Sequence, residues 1–209
     1  MIAIIDYDAG NIRSVEKALK YLGEDAVITA DRDTIMSADR AVLPGVGAFG
    51  DAMEKLRAGG LNKVIEEYVA TGKPFLGICL GLQLIFEESE ESPGVRGLGL
   101  LPGVVKRFPG GEGLTVPQIG WNDIDINPSS KLLSGLYTDN SEGTGSKPYV
   151  YFVHSYYLEA ANPEDVAART SYGITYDCAV ESGNIYATQF HPEKSSDTGL
   201  RILQNFVSL

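Results

Sequence analysis

The spacing of apolar residues changes character between the two halves of the chain. In the first half, short continuous apolar runs alternate with stretches in which apolar residues recur every three or four positions. Residues 2–5 (IAII) form one such run, ending at Asp6. Ile12, Val15, Leu19 and Leu22 then share a helical face, and Gly23 is a natural stop because glycine takes the left-handed conformation that closes a helix. AVIT at 26–29 and AVLPG at 41–45 read as the second and third strands. Phe49, Met53 and Leu56 mark one helix face, and Leu61, Val64, Ile65 and Tyr68 mark another. PFLGI at 74–78 is a further apolar strand, with a helix predicted directly after it from about Leu80 to Glu87. Strands separated by helices on short loops predict parallel βαβ units in an open sheet.

The second half reads as consecutive strands joined by Gly, Pro and Asn turns: VVKRF at 104–108, NDIDI at 122–126, YVYFVHSYYL at 149–158, VAARTS at 166–171 and IYATQF at 185–190. A purely alternating fold does not accommodate them. The expected architecture is therefore α/β, an open and mostly parallel sheet with flanking helices and an antiparallel extension. The polar, glycine-rich stretch from Thr138 to Lys147 predicts a surface loop. Asp197 is placed to cap a final helix that turns Leu200, Leu203 and Phe206 inward. No repeat or linker interrupts the 209 residues, so a single domain over 1–209 is expected.

Composition narrows the function classes. The 17 basic and 28 acidic residues leave a net charge of −11, which disfavours contact with a phosphate backbone and argues against nucleic-acid binding. No window approaches the roughly twenty apolar residues of a membrane span, and the N-terminus lacks the basic and apolar regions of a secretory signal. Cys79 and Cys178 make neither a disulfide framework nor a metal-ligand spacing, which fits a reducing cytosol.

The densest chemical signal is Pro74-Phe-Leu-Gly-Ile-Cys-Leu-Gly-Leu-Gln83. An apolar strand runs into Gly77-Ile78-Cys79-Leu80-Gly81 and then into a helix, the arrangement of a nucleophile elbow with cysteine in the serine position. The glycines permit a sharp turn and close backbone approach. Cys79 is expected above the sheet at a helix N-terminus, where unpaired N–H groups and the helix dipole favour a thiolate. The N–H of Leu80 is a candidate oxyanion donor. Cys178, in YDCAVES, lacks this context and reads as a small apolar filler.

Only His154 and His191 can supply an imidazole base. His191 stands in Gln-Phe-His-Pro-Glu, where proline ends the strand and lets His191 and Glu193 project together. A carboxylate two residues on can hold one ring nitrogen while the other faces a thiol. His154, in YFVHSYY, has no neighbouring acid and reads as structural or as part of a substrate wall. The run Glu87-Glu88-Ser89-Glu90-Glu91 reads as the solvated end of a helix. In Leu43-Pro44-Gly45-Val46-Gly47, glycines flanking Val46 would let its peptide turn an N–H toward the nucleophile; a plain βα turn is the competing reading.

Together, PGVG at 44–47, GICLGLQ at 77–83 and HPE at 191–193 resemble the class I, or triad-type, glutamine amidotransferases. IIDYDAGNIRSV at 4–15, LPGVGAFGDAM at 43–53, IGWN at 119–122, YFVHSYY at 151–157 and QFHPEKSS at 189–196 extend the resemblance across essentially the whole chain. They are similar to the glutaminase subunits that supply ammonia to a cyclase. The resemblance implies a flavodoxin-like core, Cys79 as nucleophile, His191 as general base and acid, and Glu193 as orienter. It implies Val46, Gly47 and Leu80 at the oxyanion, and Gly45, Gly47, Gln83, Ser155 and Tyr156 around L-glutamine. It further implies no cofactor or metal, and a heterodimer with a (β/α)₈-barrel cyclase near Asn11, Trp121 and Lys194. Gln118 departs from the pattern, which has histidine or a similar residue there, and this bears on the interface contacts. Alternatives are the glutaminase subunit of another synthase, such as that for pyridoxal phosphate, a peptidase or chaperone of this broad fold, and a noncatalytic regulatory subunit. The first carries a G-G-E-S-like loop where this chain has Gly45-Val46-Gly47-Ala48. The second places histidine directly after the elbow cysteine, where Leu80 stands here.

Overall fold

A computed structural model of the chain describes residues 1–8, 10–111, 114–137 and 146–209. The first half contains β1 (Ile2–Ile5), α1 (Ile12–Tyr21), β2 (Ala26–Thr29), α2 (Arg32–Ser37), β3 (Arg40–Gly45), α3 (Phe49–Ala58), α4 (Leu61–Ala70), β4 (Phe75–Cys79) and α5 (Leu80–Ile85). The second contains β5 (Glu88–Ser89), β6 (Gly103–Arg107), β7 (Gln118–Asp123), β8 (Asp125–Ile126), β9 (Tyr149–His154), β10 (Tyr156–Ala160), β11 (Val166–Tyr172), β12 (Ile174–Ser182), β13 (Ile185–Thr188) and α6 (Ser196–Val207).

The main sheet runs in the order β2-β1-β3-β4-β13-β12-β10-β6-β5. Pairing is parallel from β2 through β13, then turns antiparallel at β12. The parallel part thus follows the 2-1-3-4-5 order of doubly wound sheets, with β13 in fifth place. The antiparallel extension adds β10 and β6 beyond β12, while β11 also pairs with β12. β7 and β9 form a separate two-stranded ribbon. No helix among the described residues is long and apolar enough to cross a membrane.

Continuous apolar strands are explained by cover on both faces. Ile2 and Ile4 pack with Val15 and Leu19 of α1 and with Ile202, Leu203 and Phe206 of α6. Ala3 and Ile5 point the other way, toward Ile35, Met53, Leu56, Ile65 and Tyr68 of α2, α3 and α4. A side chain such as Phe206, fully buried, contributes about 3–5 kcal/mol against its truncation to alanine.

Several sequence expectations are corrected. α2 has no counterpart among the predicted elements: its six residues bury only Ile35 and so show no period, and the helix is fixed by Asp31, whose carboxylate caps the Thr34 N–H at 2.8 Å. α5 stops at Ile85, short of Glu87, because Phe86 is already extended. The acidic run is not a helix end. Glu87 accepts from Gly103 N at 3.2 Å, Glu90 from Arg107 N at 2.8 Å and Glu91 from Phe49 N at 2.8 Å, so three of its carboxylates tie loops to the sheet and to α3. YVYFVHSYYL divides at Ser155 into β9 and β10, which belong to different sheets. Asp197 lies in the first turn of α6, not at its cap; Ser195 precedes the helix, and Leu200 is only partly buried. Residues 138–145 of the expected surface loop lie outside the described residues.

Candidate active site

β3, β4 and β13 end side by side, with Gly45 opposite Cys79 and Thr188 opposite Ile78. Cys79 is both the last residue of β4 and the cap of α5, at φ 56°, ψ −107°. This is a conformation that side-chain-bearing residues rarely hold, and it marks a strained elbow. The flanking glycines explain how it closes. A Cβ on Gly81 would overlap the Leu43 carbonyl oxygen, and one on Gly77 would sit 2.8 Å from the Gly81 oxygen. The turn thus brings the start of α5 directly against β3. Leu80 opens that helix, so its N–H is among those with no acceptor inside it.

His191 follows β13, and its own N–H is anchored on the Tyr151 carbonyl at 3.0 Å. Pro192 starts a single 3-10 turn, which brings Glu193 back under the ring. His191 Nδ1 donates to Glu193 Oε1 at 2.7 Å, and the two side chains are 1% and 0% exposed. The carboxylate fixes the proton on Nδ1, because an ionised oxygen can only accept. Nε2 is buried and makes no hydrogen bond among the described residues. Burial lowers the His191 pKa, but the interactions with Cys79 and Glu193 outweigh it and raise the pKa to about 9. A cationic imidazole beside the sulfur is thereby favoured. The three side chains expected to form the triad are brought together.

A pocket of about 270 Å³ opens over the sulfur. Its wall includes Val46, Gly47, Leu80, Gln83, Ser155 and Tyr156, all anticipated from the sequence. Gly45 is absent from that wall: it pairs with Cys79 inside β3, where a Cβ would overlap the Tyr7 hydroxyl. His154, read from the sequence as structural or as part of a substrate wall, lines the pocket, and two residues not anticipated join the site. Glu91 lines the pocket as well. Gln189, fully buried, donates an amide N–H to the Cys79 sulfur at 3.8 Å. It lies directly after β13, level with Cys79 by register, a meeting that no local sequence pattern signals.

Of the residues expected near a partner, Trp121 and Lys194 are exposed and both lie against Tyr151, the indole edge-on at 6.2 Å and the ammonium 5.9 Å from the ring centre. Asn11 has a different attachment: its amide donates to Glu193 Oε1 at 2.6 Å, from a left-handed backbone at φ 67°. Gln118 is turned inward. It is 2% exposed and hydrogen-bonded to the Tyr176 hydroxyl at 2.8 Å, which in turn lies 3.0 Å from His154 Nε2. Among the described residues no three His, Cys, Asp or Glu side chains converge on a metal-sized point.

The family model for class I glutamine amidotransferases matches residues 3–209. The chain belongs to that family. Within it, the chain is 52% identical over 209 residues to imidazole glycerol phosphate synthase subunit HisH of Methanothermobacter thermautotrophicus, covering 100% of this chain and 98% of that one. It is 51% identical to the HisH subunit of Syntrophotalea carbinolica, covering 99% and 98%. Solved structures with the same fold include a glutamine amidotransferase (TM-score 0.75, 21% identity, 100% and 98% coverage). Another is a chain of PurLQS from Thermotoga maritima (TM-score 0.72, 19% identity, 99% and 97% coverage). As an amidotransferase of this class, the chain is a glutamine-hydrolysing enzyme.

Proposed function

We propose that the chain is the glutaminase subunit of an imidazole glycerol phosphate synthase, working in the cytoplasm as one domain and in a heterodimer with a (β/α)₈-barrel cyclase. It hydrolyses L-glutamine and passes ammonia to the cyclase, which forms imidazole glycerol phosphate in histidine biosynthesis. The observation that carries the reading is the His191–Glu193 pair, buried and fixed at 2.7 Å, beside a cysteine held in an elbow conformation at the pocket.

The Cys79 thiolate attacks the side-chain amide carbon of glutamine. Negative charge develops on the amide oxygen, where the Leu80 N–H and the Val46–Gly47 backbone would receive it. The C–N bond breaks as His191 gives its Nε2 proton to the departing ammonia, leaving a γ-glutamyl thioester. His191 then takes a proton from water, the resulting hydroxide displaces the sulfur, and glutamate leaves. Glu193 keeps Nδ1 protonated throughout, so Nε2 is the atom that exchanges protons.

The pocket volume suits a free amino acid, being small beside sites for larger ligands. Glu91 matches the charge of an α-ammonium group. Ammonia must remain unprotonated to act as a nucleophile, which favours delivery through a closed interface. The exposed strip Ile119, Trp121 and Tyr149 on the β7–β9 ribbon is the kind of apolar surface a partner covers. Glutamate release from glutamine, measured for the chain alone and with the cyclase plus its nucleotide ligand, tests the reading. Strong turnover in the complex, abolished by Cys79→Ala, is expected; no turnover in any mixture would favour a noncatalytic role.

A further inference from the structure

We propose that Gln189 is a positioning residue of this reaction, its amide N–H holding the Cys79 sulfur at the pocket floor and supporting the negative charge that sulfur carries. The proposal rests on the glutaminase reading for its meaning, but its test does not.

Three hydrogen bonds determine which way the Gln189 amide faces. The Tyr156 carbonyl can only accept, and Gln83 Nε2 donates to it at 3.2 Å. That fixes the NH₂ end of Gln83 on this side. The same nitrogen donates to Gln189 Oε1 at 3.1 Å, so the oxygen of Gln189 faces Gln83 and its NH₂ faces the sulfur. Turning either amide over would set donor against donor or acceptor against acceptor in a buried site. There each mismatch costs about 1–3 kcal/mol. Gln83 and Gln189 are 5% and 0% exposed, so water cannot relieve the mismatch.

The backbone is equally fixed. Gln189 N donates to the Cys178 carbonyl at 2.8 Å, and the residue continues a strand whose register with β4 sets it level with Cys79. On its other side the thiol donates to the Val153 carbonyl at 3.9 Å. The sulfur is thus contacted from both sides. Once the proton leaves, the carbonyl contact becomes repulsive, and the Gln189 N–H, together with the His191 imidazolium, favours the charged sulfur.

The titratable groups facing Cys79 from the surrounding elements are His191 with Glu193 behind it, Tyr7 beyond Gly45, and His154 and Glu91 across the pocket. Gln189→Met removes the donor, keeps the side-chain length and leaves all of these in place. The test is alkylation of Cys79 by iodoacetamide across pH, read by mass spectrometry of the intact chain, where Cys178 is fully buried. The variant is expected to react roughly tenfold more slowly at neutral pH, with its rate profile displaced upward by about one pH unit. In the complex with the cyclase, kcat for glutamine should fall in parallel with KM little changed. An unaltered alkylation profile in a variant that melts like the native chain would overturn the proposal. If the alkylation profile moves but no chain hydrolyses glutamine, only the glutaminase reading fails. Should Gln189→Met not fold, Gln83→Met carries the test, since it frees the Gln189 amide without touching the sulfur. A smaller upward displacement would then support the proposal, and none would refute it.

Discussion

Glu193 Oε1 accepts from two directions, His191 Nδ1 at 2.7 Å and Asn11 Nδ2 at 2.6 Å, and this makes the outcome of Glu193→Gln unusual. An amide in place of a carboxylate can offer the ring either its oxygen or its NH₂. The NH₂ would force the imidazole into the wrong tautomer, with the proton on Nε2, and wrong-tautomer variants of such triads lose about 10⁴-fold in kcat. Here Asn11 presents a second donor to the same position, so the substituted amide keeps its oxygen there and the tautomer survives. What is lost is the charge behind both hydrogen bonds, and the one to the ring is the one that bears on turnover. At about 1.5–3 kcal/mol, that corresponds to a fall in kcat of about 10- to 150-fold. Adding Asn11→Asp inverts the demand. An aspartate at position 11 can only accept, so the NH₂ of the amide introduced at position 193 must turn toward it, and the ring then faces a donor. The double variant keeps the net charge of the native pair, yet should lose about 10⁴-fold. Glutamate release at saturating glutamine in the cyclase complex measures both, with thermal melts to confirm folding. A double variant no slower than Glu193→Gln alone would refute the assignment of Asn11 as the residue that sets the amide.

Four other outcomes are expected. Gly81→Ala places a Cβ on the Leu43 carbonyl oxygen, so it should cost about 1–3 kcal/mol or more in urea unfolding and disturb Cys79 before anything else; native stability would show that the elbow relaxes freely. His154 is held neutral, chiefly by burial, with its pKa lowered to about 4, against about 6.5 when unfolded. The unfolded chain therefore binds the extra proton between those values, and stability falls as pH drops from 6.5 toward 4, by up to about 3 kcal/mol. His154→Gln should flatten that part of the pH–stability curve, and an unchanged slope would contradict the buried neutral ring. His191 acts with the opposite sign: with its pKa raised to about 9, its contribution is complete below 6.5 and lost as pH climbs through 9. Glu91→Gln should raise KM for glutamine about tenfold or more with kcat less affected, as expected for one charge-assisted contact; an unchanged KM would remove Glu91 from the substrate site.

What is legible in the sequence is whatever is local along the chain. The elbow is encoded in a few consecutive residues, because a strained cysteine between two close-approach glycines requires Gly77, Cys79 and Gly81 at fixed spacing. The His191–Glu193 pair lies within one 3-10 turn, so its spacing is legible too. The contacts that sequence reasoning misses join distant segments: Asn11 and Glu193 are 182 positions apart, and Gln189 and Cys79 are 110 apart. Nothing in either local pattern announces those meetings. Glu91 is hidden by its acidic neighbours, which read as a solvated face although three of the carboxylates accept backbone N–H groups. Gln118 misleads for a further reason. It begins a ribbon whose next residue, Ile119, is exposed, so a motif that looks outward-facing contains one side chain turned inward.

The placement of the chemistry follows from sheet register more than from any single loop. Three parallel strands end within one residue of one another, and the residues just past their ends are Val46, Leu80 and Gln189. Because side chains alternate faces along a strand, slipping β13 by one residue against β4 would send Gln189 to the opposite side and carry the His191 turn with it. Register here is held by burial on both faces: Leu76 and Ile78 of β4 and Tyr186 of β13 pack toward α1 and α6, while Phe75, Ile185 and Ala187 pack toward α3 and α4. A slipped pairing would expose each set to the wrong layer. The hydrophobic core thus excludes the alternatives in which Cys79 has neither its imidazole nor its amide donor, and the alignment of the reacting groups is a consequence of the packing that makes the sheet stable.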